Sequence, residues 1–158
     1  MLLLKLPNSG ATPRRPSCKL KLVVLDTNVV VSAILWGGTP RKLFDLADTG
    51  RITLFTSIDL LRELTGILSR DKFAEKIEAS GQSIDQIVDG YAAYTEIVRP
   101  VTTPRIAPDP DDDVVLGTAL AANAEMIITG DRPFLSVGRW QDVDMISVGE
   151  ALIEIGVL

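Results

Sequence analysis

Acidic side chains at four separated places in the sequence are the residues best suited to chemistry. Asp26 follows the apolar run Leu20–Leu25, and Asp131 follows a second apolar run near the end of the chain. Glu63 lies inside a predicted helix, and Asp113 ends an acidic run that leads into another helix. Carboxylates that are brought together repel each other unless a cation lies between them. The pattern therefore predicts that the four acids share a divalent metal ion.

The residue types that are missing narrow the chemistry further. The 158 residues include no histidine, which excludes a Ser-His-Asp triad, a Cys-His pair and a histidine general base. Cys18 is the one cysteine, so an internal disulfide and zinc sites of the Cys/His type are excluded too. A site that has only oxygen ligands indicates Mg²⁺ or Mn²⁺. Such an ion can activate water for hydrolysis and can neutralise charge that develops on a phosphoryl oxygen.

Strands that alternate with helices are predicted to position these acids. The run Leu20–Leu25 is typical of a buried parallel strand, and further short strands are predicted at 52–55, 126–129 and 143–146. The predicted helices cover 27–35, 41–48, 58–68, two stretches within 71–98, 114–123 and 148–155. This alternation predicts a three-layer α/β/α fold around a parallel sheet of about four to five strands. Ligands of such sheets bind beyond the carboxyl ends of the strands, where Asp26 and Asp131 are expected.

Length and composition indicate one folded domain. Residues 7–19 contain three prolines, two serines and one glycine, and 1–19 is predicted to be a flexible leader, which leaves 20–158 as a single domain. The net charge of −5 argues weakly against nonspecific nucleic-acid binding, although acids gathered in one site would leave local basic patches elsewhere. No apolar run approaches the roughly 20 residues of a membrane-spanning helix, so we expect a cytoplasmic protein.

Each acid also has an ordinary structural explanation. Asp26 could be only a helix N-cap, and Glu63 only a solvated helix acid. Asp131 could be a turn residue after Gly130. The acids at 111–113 could form a solvated run that interacts favourably with the helix dipole. The combination of all four positions is more specific than any one of them.

The order and spacing of these motifs resemble the PIN domain family. The resemblance is carried by Leu25–Val29, by Ser57 with Glu63, and by Asp109–Asp113, Leu116–Ala121 and Ile128–Asp131. It extends over most of residues 20–150. The stretch Trp36-Gly37-Gly38 resembles the subgroup described as toxins of toxin–antitoxin pairs, related to VapC-type toxins.

The resemblance implies both an activity and a set of site residues. It implies an α/β/α fold, a Mg²⁺- or Mn²⁺-dependent endoribonuclease, frequent homodimers, and a cognate antitoxin that occupies the active-site groove. The family's four acids, which are its catalytic and metal-binding residues, fall on Asp26, Glu63, Asp113 and Asp131. Asp112 is a near-equivalent candidate for the third metal ligand, and we choose Asp113 for its distance to Asp131 along the sequence. The resemblance also implies that Asn28 and Thr129 support the site.

Two arginines next to the acids are candidates for contact with RNA phosphates. Arg62 precedes Glu63, and Arg132 follows Asp131. Ordinary solubilising charge is the alternative for both arginines. Trp36 could stack on a base, but packing against the next helix is the interpretation that we favour.

A binding module and a phosphotransfer domain are the alternatives to the nuclease. A catalytically inactive PIN-like module that binds RNA or protein is the main alternative, and the presence of all four acids argues against it. Phosphotransfer domains with an aspartyl nucleophile fit poorly. A dehalogenase-type site needs an acid where Asn28 stands, and a receiver-type site needs a late lysine, whereas no lysine follows Lys76. RNA cleavage that needs Mg²⁺ or Mn²⁺ would separate the nuclease from the binding module.

Overall fold

A single sheet forms the middle of the molecule. The computed structural model describes residues 20–103 and 110–157, with side chains in the second range from Asp112 onward. The strands in these ranges are β1 (Lys21–Leu25), β2 (Ile52–Thr56), β3 (Thr95–Ile97), β4 (Met126–Ile128), β5 (Arg139–Trp140) and β6 (Val143–Ile146). Their order across the sheet is β3-β2-β1-β4-β6-β5, and only the β5–β6 pair is antiparallel. The predicted leader at 1–19 and Asp109 lie outside the described residues.

Helices cover both faces of this sheet. They are α1 (Thr27–Leu35), α2 (Gly38–Asp48), α3 (Ile58–Leu68), α4 (Ala74–Ser80), α5 (Ile84–Ala92), α6 (Pro110–Ala122), α7 (Arg132–Leu135) and α8 (Val148–Ile155). Side chains alternate along β1, so Val23 and Leu25 pack with α1, α2, α5 and α8, whereas Val24 packs with α6 and α7. The predicted three-layer α/β/α class with a mainly parallel sheet is therefore confirmed. Among the described helices, none is long and apolar enough to cross a membrane.

Two edge strands were not predicted. Helix was predicted within residues 71–98, yet α5 ends at Ala92 and β3 pairs with β2. The hydroxyl of Thr95 donates to the carbonyl oxygen of Ala92 at 2.8 Å, which helps to end the helix before the strand. The strand β5 has two residues, too few for a period-two pattern to be visible in the sequence. The sheet therefore has six described strands instead of about four to five.

A close backbone contact fixes α6 against the segment that follows β3. The amide of Val101 donates to the carbonyl oxygen of Gly117 at 3.1 Å, and the amide of Val98 donates to the carbonyl oxygen of Thr56 at 2.9 Å. A Cβ atom at Gly117 would collide with the carbonyl oxygen of Val101. Glycine at this position therefore lets α6 approach the chain closely.

Replacing Gly117 by alanine is expected to destabilise the protein, against the usual trend for helices. Alanine in a helix is normally favoured over glycine by about 1 kcal/mol. The matched control is Gly66→Ala in α3, where an added Cβ meets nothing within 4 Å, and we expect it to stabilise by up to about 1 kcal/mol. For Gly117→Ala we expect a loss of about 1–3 kcal/mol from overpacking. Urea denaturation measures the free energy of unfolding of both variants. Equal changes of the same sign would contradict the close contact between Gly117 and Val101.

Candidate active site

Asp26 is buried at the carboxyl end of β1, in the centre of the sheet. The residue is 6% exposed. The Oδ1 atom accepts a hydrogen bond from the amide of Thr27 at 2.8 Å, so Asp26 is the N-cap of α1. Its own amide donates to the carbonyl oxygen of Ile128 at 2.9 Å, which ties the residue to the end of β4. Asp26 is thus both a helix cap and an acid at the sheet edge, so the two explanations are compatible.

Thr129 links Asp26 to Asp131. The buried Thr129 hydroxyl donates to Oδ2 of Asp26 at 2.7 Å, the length of a strong charge-assisted bond. The same hydroxyl oxygen accepts from the amide of Asp131 at 3.0 Å. The Asp131 carboxylate in turn caps α7, where its Oδ2 accepts from the amide of Phe134 at 3.2 Å. The ends of β1 and β4 therefore share one polar chain.

Thr27 links Asp26 to Glu63. While the Thr27 amide contacts Asp26, its hydroxyl donates to Oε1 of Glu63 at 2.9 Å. Thr27 is 3% exposed and Glu63 is half-buried on α3. One residue thus contacts two of the predicted acids. Sequence analysis missed Thr27, because its partner lies 36 positions away and only the fold brings the two together.

Asp112 and Asp113 differ in burial at the start of α6. Asp112 is 9% exposed and lies one helical turn before Val115 and Leu116, which pack into the core beside β1 and β4. Asp113 is half-buried and lines a surface groove of about 390 Å³ with Asp59 and the segment 99–103. Asp112 is therefore the more buried of the two acids.

A pair of buried hydroxyl groups connects α6 to the start of α3. Thr118 and Ser57 are fully buried, and their hydroxyl oxygens are 3.1 Å apart. Thr118 donates to the carbonyl oxygen of Val114 at 2.8 Å, whereas Ser57 accepts from the amide of Leu60 at 3.3 Å. With one proton on each hydroxyl, Ser57 donates to Thr118. The bond holds the helix that carries Asp112 against the helix that carries Glu63.

Comparison with known proteins identifies the family. The sequence pattern of the PIN domain matches residues 22–133, which is more than half of the chain. The chain belongs to the PIN domain family. It is 31% identical over 121 residues to Uncharacterized protein MJ1680 of Methanocaldococcus jannaschii, a match that covers 75% of this chain and 77% of that protein.

A solved structure shares the fold of this PIN domain. It is a chain of the crystal structure of VapBC2 from Rickettsia felis bound to a DNA fragment from their promoter. The likeness has a TM-score of 0.53 at 17% identity and covers 78% of this chain and 96% of that chain. At this level of identity the likeness concerns the fold alone.

The acids of this PIN domain fit a hydrated ion better than a closed ligand cage. Within residues 20–103 and the described part of 110–157, no three acids lie close enough together to surround a metal ion directly. Mg²⁺ usually keeps several water ligands and takes only one or two carboxylates from the protein. The oxygen-only donors around Asp26 fit that mode of binding. The acids that could contribute are Asp26, Glu63, Asp131 and one member of the Asp112–Asp113 pair.

The predicted phosphate-binding arginines, Asn28 and Trp36 lie at the surface of the protein. Arg62, Arg132 and Asn28 are exposed. Trp36 packs edge-on against Phe73, with ring centroids 5.8 Å apart, yet it remains 58% exposed. Packing against the next helix was expected, whereas the ring contact in the structure is with Phe73 and covers only part of the Trp36 ring.

Proposed function

We propose that this PIN domain is a metal-dependent endoribonuclease and the toxin of a toxin–antitoxin pair, which hydrolyses phosphodiester bonds in RNA. The observation that carries the proposal is the hydrogen-bonded chain that joins Glu63, Asp26 and Asp131 through two threonines at the sheet edge. Asp26 and Glu63 join this chain through their carboxylates, whereas Asp131 joins it through its backbone amide. The proposal includes a cytoplasmic location and a homodimer. It also includes a cognate antitoxin, an idea supported by the fold shared with a chain of the VapBC2 complex.

In this proposal one or two of the acids Asp26, Asp131, Glu63 and Asp112 bind Mg²⁺ or Mn²⁺ directly, and the others bind its water ligands. We favour Asp112 over Asp113 because Asp112 is the more buried of the two acids. The ion supplies an activated water and neutralises charge on a phosphoryl oxygen. The exposed Arg62 and Arg132 are proposed to bind phosphates on either side of the acids.

The two threonines would keep the acids in place before RNA binds. The Thr129 hydroxyl donates a hydrogen bond to the Asp26 carboxylate, and the Thr27 hydroxyl donates one to the Glu63 carboxylate. Both threonines are buried, so their side chains are held in one orientation by packing. Carboxylates fixed in this way can meet a hard ion with little rearrangement.

The direct test is cleavage of a panel of RNAs by the purified protein with Mn²⁺, with Mg²⁺ and with a chelator. We expect cleavage with either ion and at least about a hundredfold less product with the chelator, because the ion contributes several kcal/mol to the transition state. Cleavage that is equally fast in the chelator would contradict the proposal. Induced expression without an antitoxin is expected to arrest growth of a bacterial host.

A second candidate function is a PIN-like module that binds RNA or protein without cutting. The observation that favours it is the lack of three closely spaced acids in the part of the chain that the structure describes. RNA retained on the protein without any cleavage, at every metal concentration tested, would support this module and exclude the nuclease.

A further inference from the structure

We propose that Thr27 is a positioning residue that sets the orientation of the Glu63 carboxylate relative to Asp26, an inference that rests on the proposed nuclease function. Thr27 contacts both acids, through its amide to Oδ1 of Asp26 at 2.8 Å and through its hydroxyl to Oε1 of Glu63 at 2.9 Å. Thr27 therefore connects one oxygen of each carboxylate through a single residue.

The position of Thr27 in α1 explains why its hydroxyl reaches another helix. A threonine inside a helix usually bonds to the carbonyl oxygen three or four residues earlier. Thr27 is the first residue of α1, and the residues three and four before it belong to β1. The hydroxyl therefore has no helical carbonyl behind it and instead contacts α3.

Glu63 needs such a contact more than Asp26 does. A glutamate has a broad terminal torsion, so its carboxylate rotates readily unless a bond holds one of its oxygens. The Thr27 side chain is stiff, because it is β-branched, and it is buried at 3% exposure. A stiff, buried donor thus orients a flexible acid. Partners of this kind, one step removed from a metal, typically contribute about 10–100-fold to metal affinity or activity.

The test compares Thr27→Val, which keeps the shape and removes the hydroxyl, with Thr27→Ser, which keeps the hydroxyl. The matched control is Thr65→Val in α3, because the Thr65 hydroxyl donates to the carbonyl oxygen of Leu61 within the same helix at 3.1 Å. The readouts are Mn²⁺ binding by calorimetry without RNA, kcat and KM for RNA cleavage, and the thermal unfolding midpoint. We expect Thr27→Val to weaken Mn²⁺ binding or lower kcat by about 10–100-fold with little change in KM. We expect Thr27→Ser and Thr65→Val to keep nearly the wild-type Mn²⁺ affinity, kcat and KM.

A double-mutant cycle with Glu63→Ala decides whether Thr27 acts through Glu63. If it does, Thr27→Val causes no further loss of Mn²⁺ affinity once the Glu63 carboxylate is gone. Additive losses, or a folded Thr27→Val protein with wild-type Mn²⁺ affinity and kcat, would overturn the inference. Wild-type protein that binds Mn²⁺ but cuts no RNA would reject the nuclease alone, since the cycle can still be read from Mn²⁺ binding. Wild-type protein that binds no Mn²⁺ would reject both the proposed nuclease function and the proposed role of Thr27.

Discussion

Asp26→Asn is expected to lower RNA cleavage by about 10²–10³-fold while the protein stays folded. A metal ion contributes several kcal/mol to such a reaction, and each 1.36 kcal/mol corresponds to about tenfold in rate. The substitution keeps the size of the side chain, and asparagine is as good an N-cap as aspartate. It removes the charge at the centre of the polar chain, where Thr129 donates to Oδ2 at 2.7 Å. Single-turnover cleavage at saturating Mn²⁺ measures the effect.

The matched control is Asp45→Asn on α2, which removes the same charge from an exposed position. We expect it to cleave RNA at nearly the wild-type rate. Circular dichroism should show that both variants keep the wild-type helix content. A folded Asp26→Asn protein that cuts RNA as fast as the Asp45→Asn control would remove Asp26 from the site.

Asp112→Asn and Asp113→Asn are expected to differ strongly, although the two residues are adjacent. For Asp112→Asn we expect a loss of about 10²–10³-fold in cleavage, because Asp112 is the more buried acid and is proposed to belong to the site. For Asp113→Asn we expect a loss of less than about fivefold, since a partly screened charge outside the site contributes at most about 1 kcal/mol. Cleavage rates at fixed RNA and Mn²⁺ concentrations give the comparison.

The same experiment decides whether Asp113, chosen from the sequence, or Asp112, chosen from the structure, belongs to the site. Spacing along the sequence favoured Asp113, whereas burial favours Asp112. Each variant serves as the control of the other, since both make the same substitution at the same end of α6. A larger loss for Asp113→Asn would restore the choice made from spacing and would reject the burial argument.

Most of the fold could be predicted because its long elements have clear periodicity. The strands β1 and β2 and the helices α1 and α3 lie within a residue or two of their predicted bounds. The edge strand β3 could not be predicted, since its three residues are stabilised by pairing with β2, which is a tertiary effect. The short helix α7 depends on capping by Asp131 and is equally hard to recognise from four residues.

Less of the candidate site could be predicted than of the fold. Topology alone predicted the positions of Asp26 and Asp131, because ligands bind at the carboxyl ends of parallel strands. The choice between Asp112 and Asp113 depends on how α6 is rotated on the sheet, and a stretch of five residues with four acids gives no rotational signal. The bond from Thr27 to Glu63 joins two helices, so no local pattern could indicate it.

The bond from the amide of Asp26 to the carbonyl oxygen of Ile128 has a consequence for synthesis of the protein. During translation, β1 emerges first, but its neighbour β4 and the Thr129 hydroxyl appear only about a hundred residues later. A nascent chain on the ribosome therefore lacks a complete site until nearly the whole sequence has been made. For the proposed nuclease, cleavage would therefore begin only after β4 and Thr129 have been synthesised and have folded against β1.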